Sequence, residues 1–284
     1  MRKAKNMEKK RFNIPYMIAA PVLALLSGFG YYFALRDGFD FEIGHFDATV
    51  WFYIFAGCIA LAAVAALIAA ITVRGNGVGV SGRPSLGSSC ARSAGAAAAL
   101  FIFVMFIIEL FVLREPVTTL EKIAGLLTLF IAAALICSAA PKHGSGEMTA
   151  VMFILAALAV NFNIFASYFD FSVPVNSPVR HVMTILQCAV LLFMIAEARL
   201  FLPKESGRST AVFAAFVYTF TASVCFGIPV AAIVFRLTAK NPADPNLAPV
   251  WLILFAAVAA ASFVRLAELP GSLYPLPEKD KKQN

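Results

Sequence analysis

Eight apolar stretches, each about as long as a helix must be to cross a ~30 Å hydrocarbon core, fill most of this 284-residue chain. No other feature restricts its fold so tightly. Lipid offers no hydrogen bonds to an open backbone, and a helix satisfies its own N–H and C=O groups within one segment. The stretches cover approximately 14–35, 50–72, 94–113, 120–140, 148–168, 179–202, 210–235 and 249–266. The sequence therefore reads as an all-α polytopic membrane protein, a bundle of eight transmembrane helices. A basic tail spans 1–12, one helical domain 13–268, and a second tail 269–284. Most connections are short, which favours one bundle over several domains. Hydrophobic residues make up 61% of the chain and charged residues 14%, where a soluble domain is about a quarter charged.

Charge distribution orients the bundle. With eight spans, 17 of the 23 Lys and Arg fall on the side that holds both termini. The other side holds Arg36, Arg114, Lys122, Arg180, Arg236 and Lys240. Such a skew places both termini in the cytoplasm of a bacterial cell, with the chain multi-pass in the plasma membrane. The net charge of +7 then belongs to membrane lipid headgroups, and no nucleic-acid partner is expected. The basic tail and first apolar run read as an uncleaved signal anchor, because the run is long and ends in Tyr31-Tyr32-Phe33. The five cysteines, Cys58, Cys90, Cys137, Cys188 and Cys225, form no CxxC pair and read as free thiols.

Local patterns add detail. Gly77-Val78-Gly79-Val80-Ser81-Gly82 spells G-x-G-x-x-G, but it lies between two membrane helices rather than after a strand in a βαβ unit. The Gly/Ser-rich stretch from Gly75 to Gly95 reads as a mobile cytoplasmic linker. Ala56, Ala60 and Ala63 on the second span, and Gly95 and Ala99 on the third, read as close-packing faces. Gly227-Ile228-Pro229 predicts a kink in the seventh span.

No span carries a charge at its midpoint, and the polar exceptions gather in the outer half. Arg180, Thr184 and Gln187 follow one another at i, i+4 and i+7, on one stripe of the sixth span, with His181 beside it. Asn161 and Asn163 sit in the fifth span, two residues apart, so one of them at most faces a given pocket. Glu109 lies near the outer end of the third span. These seven are the candidate ligand-binding residues. Glu197, near the cytoplasmic end of the sixth span, reads as an interface residue paired with Arg199, Lys204 or Arg208. In the acidic first outer loop, Asp40 and Glu42 are candidate metal ligands through their oxygens. Asp40-Phe41-Glu42 is also reminiscent of the acidic motif of membrane glycosyltransferases that use lipid-linked sugars, although their first outer loop is much larger. There is no HExxH and no GxSxG, and the three histidines are dispersed.

Ile14-Pro15-Tyr16, Gly38-Phe39-Asp40 with Gly44-His45, and Glu197-Ala198-Arg199 with Gly207-Arg208-Ser209 carry a resemblance. The chain resembles a group of uncharacterised multi-spanning membrane proteins of Gram-positive anaerobes. It departs from them at Ser172 to Pro178, where a Trp and an Asp-Pro pair are expected. The resemblance implies the eight-span architecture and no activity, cofactor or catalytic residue. The leading expectation is a non-enzymatic protein, without cofactor, that binds or moves a small solute or lipid through an outward-facing polar pocket. The alternatives are a scaffold subunit in a homo-oligomer or membrane assembly, and an enzyme acting on a lipid-linked substrate through the acidic loop.

Overall fold

A computed structural model describes residues 14–40, 45–47, 49–76, 78–80, 100, 104, 107, 119–139, 146–169, 178–202, 207–238 and 249–275. Among them the fold is helical almost throughout. The elements run α1 (Ile14–Gly38), β1 (Phe39–Asp40), β2 (His45–Phe46), α2 (Val50–Gly75), β3 (Val78–Val80), α3 (Thr119–Ala139), α4 (Gly146–Tyr168), α5 (Pro178–Phe201), α6 (Arg208–Val224), α7 (Gly227–Thr238), α8 (Pro249–Ser272) and β4 (Leu273–Pro275). Among the described residues five helical runs are long and apolar enough to cross a membrane: Ile18–Gly38, Val50–Gly75, Gly146–Tyr168, Arg180–Phe201 and Arg208–Phe235. Within α3, Leu126–Cys137 is a further apolar stretch. Of the expected third span, Leu100, Val104 and Ile107 are helical and exposed, and its remainder lies outside the described residues. At the other end of the chain, α8 continues past the expected span edge at Leu266 into the region assigned to the tail.

The centre of the bundle is α6. It packs against α1, α2, α5 and α8, and its buried residues cover most of the circumference, including Ala211, Ala215, Tyr218, Thr219, Ser223 and Val224. A helix buried over most of its circumference belongs inside its bundle. Beyond α5, α4 and α3 follow as a row. Hydroxyls on α6 bond back to their own helix, Thr221 to the Val217 carbonyl at 2.8 Å and Ser223 to that of Thr219 at 2.7 Å, so these polar groups enter the core with their hydrogens placed.

The α6–α7 run is interrupted at Cys225–Phe226. Pro229 falls in the first turn of α7, where a missing N–H costs no intrahelical bond. The kink expected from Gly227-Ile228-Pro229 is thus a full break. There α7 crosses α1 with the backbones in contact. A Cβ on Gly28 would lie 2.5 Å from the Gly227 carbonyl oxygen, and one on Gly227 would collide with the Ala24 carbonyl. Two glycines make this crossing possible.

Two expectations change. The Ala56–Ala60–Ala63 face forms no core: Ala56 and Ala60 are exposed, and α2 packs instead through Phe55, Cys58, Ala62, Ala66, Ala69, Ala70 and Val73. The supposed mobile linker is ordered at β3, which pairs antiparallel with β4 (Val78 with Pro275, Val80 with Leu273) and packs on α6. Residues 81–95 lie outside the described residues. The acidic segment between α1 and α2 is anchored as well: β1 pairs with β2, and Phe46 is buried against Tyr31, Phe39 and Phe52. Its neighbour Thr49 caps α2 by accepting the Phe52 N–H at 3.4 Å. Four cysteines are described, Cys58, Cys137, Cys188 and Cys225, and all are free.

Candidate functional site

The stripe Arg180–Thr184–Gln187 survives folding. α5 is buried over most of its circumference, and its exposed positions, His181, Cys188 and Ile195, recur every seven residues as one narrow seam. His181 therefore faces outward and does not join its neighbours. Arg180 is 5% exposed and Gln187 2% exposed, whereas Thr184 is half-buried and donates to the Arg180 carbonyl at 2.9 Å. The Gln187 Oε1 atom is buried without a hydrogen-bond partner among the described residues. A buried amide oxygen with an unmet acceptor is costly unless water or a ligand completes it.

On α4 the two asparagines separate as their spacing requires. Asn161 is exposed. Asn163 is buried and donates from Nδ2 to the Ala159 carbonyl at 2.9 Å. Glu109 lies outside the described residues, as does Glu42. Asp40 sits half-buried on β1. Among the described residues no group of three His, Cys, Asp or Glu side chains is placed to hold a metal ion.

The strongest polar constellation is one the sequence reading missed. Glu197 is 1% exposed and does not reach the interface charges beside it. Its carboxylate is gripped by Arg265 of α8: Nε donates to Oε1 at 2.8 Å and Nη2 to Oε2 at 2.7 Å. The Tyr218 hydroxyl of α6 also donates to Oε1, at 2.7 Å. Arg265 reaches Glu268, three residues on, at 3.2 Å. One turn deeper, the Thr221 and Ser262 hydroxyls meet at 2.6 Å. Polar contacts thus follow one another along the α6–α8 interface, from Glu268 inward to Ser262. Arg199, expected to pair with Glu197, lies over the Phe213 ring at 5.3 Å, and Arg208 donates to the Arg74 carbonyl at 2.7 Å. Lys204 lies outside the described residues.

A two-pronged pair suits the medium. The planar guanidinium meets a carboxylate with two parallel bonds, and each charge compensates the other where water is excluded. The signal was present in the sequence: Glu197, Tyr218 and Arg265 all lie toward one end of their spans. The sequence offered no means of preferring a partner 68 residues away over the basic residues next door.

The two polar regions occupy opposite ends of α5. Glu197 lies near its C-terminal end, together with Arg74, Arg208, Arg265 and the β3–β4 pair, while Arg180 lies in its first turn. Along the axis, Gln187 and Glu197 are about 15 Å apart at 1.5 Å per residue. No protein-family model, no curated protein and no solved structure matches this chain.

Proposed function

We propose that the chain is an eight-span protein of a bacterial plasma membrane, both termini cytoplasmic, that binds or moves a small polar solute or lipid. The β1–β2 end faces outward in this reading and the β3–β4 end faces the cytoplasm, in keeping with the distribution of Lys and Arg. The site is the α5 stripe. Arg180 holds an anionic group of the ligand, and Gln187 accepts an N–H or O–H from it, about 10 Å further along the helix. Asn163 belongs to the neighbouring helix wall.

The observation that carries this reading is the Gln187 side chain, 2% exposed with its Oε1 unpartnered among the described residues. Polar groups inside membrane proteins are costly and mark sites where something polar must be met. The break between α6 and α7 supports movement of the ligand, since interrupted membrane helices recur at the binding sites of transporters.

The test is a thermal-stability screen of the purified protein in detergent against amino acids, small organic acids and phosphorylated headgroup analogues. A hit is expected to raise the melting temperature of the wild type, and Arg180→Ala and Gln187→Leu are each expected to abolish the rise. A rise unchanged in both variants would remove the α5 stripe from consideration.

A further inference from the structure

We infer that the Glu197–Arg265–Tyr218 cluster is the closed inner gate of the path that begins at the α5 stripe. The inference rests on the reading of that stripe as a solute site. It adds the point at which passage to the β3–β4 end is blocked.

Three observations support it. The first is position. Its Glu197 lies on the same helix as Arg180 and Gln187, nearer the other end, and the cluster ties α5 to α6 and α8. The second is the interface behind it. Thr221 and Ser262 meet one turn deeper, both fully buried, so the α6–α8 contact is lined with hydroxyl and charged groups. A purely structural contact between membrane helices has no need of charges, because apolar and small side chains hold such helices together at lower desolvation cost. The third is the fastening. α8 carries one cation, Arg265, between two carboxylates, Glu197 on α5 and its own Glu268. Glu268 is the more exposed of the two, with its side chain at 21% against 2% for Glu197. Arg265 can therefore release Glu197 and keep a counter-charge on its own helix. A second arrangement of α8, with Arg265 on Glu268 alone, is what a gate requires.

Opening exposes the α6–α8 interface to water, and Ser262 reports it. The experiment uses the full chain in membrane vesicles, with Cys90, Cys137, Cys188 and Cys225 replaced by Ser or Ala, Cys58 retained, and Ser262→Cys introduced. A membrane-impermeant maleimide is the probe, and the labelled peptides are separated by mass. Cys58, buried on α2 away from the cluster, reports general loosening.

With the cluster intact, Ser262→Cys is expected to stay protected. Glu197→Gln and Arg265→Gln are each expected to raise its labelling rate by at least an order of magnitude, with Cys58 still protected. The exchanged pair, Glu197→Arg with Arg265→Glu, restores protection. Tyr218→Phe, which removes one hydrogen bond and no charge, gives a smaller rise and tests the inference even if the charge variants do not fold. Protection of Ser262→Cys in all folded variants, or labelling of Ser262→Cys and Cys58 together, would show a structural tie and overturn the gate. The solute screen reads Arg180 and Gln187 independently. Failure there refutes the stripe as the solute site, and selective Ser262→Cys labelling then shows only that the α6–α8 contact opens; a solute hit with Ser262→Cys protected refutes the gate alone.

Discussion

Removing Arg265 alone leaves the Glu197 carboxylate 1% exposed with only the Tyr218 hydroxyl to stabilise it. Two of the three hydrogen bonds found on that carboxylate disappear, and so does its counter-charge. Stranding one member of a buried pair costs about 3–5 kcal/mol. Glu268 adds less to the loss, since its side chain is 21% exposed against 2% for Glu197. We therefore expect Arg265→Leu to destabilise the protein by about 3–5 kcal/mol. Tyr218→Phe, which deletes one hydrogen bond to a charged group, costs about 1–3 kcal/mol. The informative variant is the double Glu197→Leu with Arg265→Leu. No charge is then stranded, and the remaining penalty is the orphaned Tyr218 hydroxyl, about 1–3 kcal/mol. The double variant must be more stable than Arg265→Leu alone. Equilibrium unfolding in mixed micelles, followed by helical circular dichroism, measures all four corners of the cycle. A loss below about 1 kcal/mol for Arg265→Leu, or a double variant whose loss equals the sum of the two single losses, would refute the view of a tightly coupled, water-excluded pair.

Other positions test the packing and the site. Gly28→Ala places a methyl 2.5–2.8 Å from three backbone atoms of Gly227 and is expected to cost about 1–3 kcal/mol in the same unfolding assay. Gly57→Ala, with nothing within 4 Å of the new methyl, is expected to be neutral or stabilising by about 0.5–1 kcal/mol. Gln187→Leu removes a buried, unsatisfied amide, so its apo form is expected to gain about 1 kcal/mol while losing solute-induced stabilisation. A fall in both would make the side chain a packing element. Thr49→Ala removes the α2 cap and is expected to cost about 0.5 kcal/mol, the low end for caps because the bond is long at 3.4 Å.

The positions of the described helices were legible because an apolar run of spanning length has few ways to bury its backbone in lipid. An interruption at Gly227-Ile228-Pro229 was legible for a related reason, since proline acts on its own chain locally, although it was read as a kink rather than a break. The inward stripe of α5 could be read from the i, i+4, i+7 spacing. So could the divergence of Asn161 and Asn163, although not which of the two turned inward. The partner of Glu197 was beyond reach. Sequence proximity favoured Arg199 and Lys204, whereas the packing of α8 on α6 brings Arg265 to the carboxylate. Small residues on α2 misled for a similar reason. Both Ala56 and Ala62 suit close packing, and only the neighbouring helices determine that Ala62 lies inward. The strands were hidden because three residues of Val-Gly-Val show no period, and their partner lies at the far end of α8.

That last pairing has a consequence for biosynthesis. Val80 and Leu273 are register partners, so β3 must wait for about 190 further residues to be made before β4 can close on it. At ~5–20 residues per second the wait is about 10–40 s. For that interval β3 has no β4 to pair with, while α6 threads into the centre of the bundle beside it. Closure by Leu273–Pro275 then comes as a late event, after α8 has emerged and Arg265 has become available to Glu197. A ribosome stalled before Leu273 would hold a bundle with its central helix made and its β3 seam still unjoined.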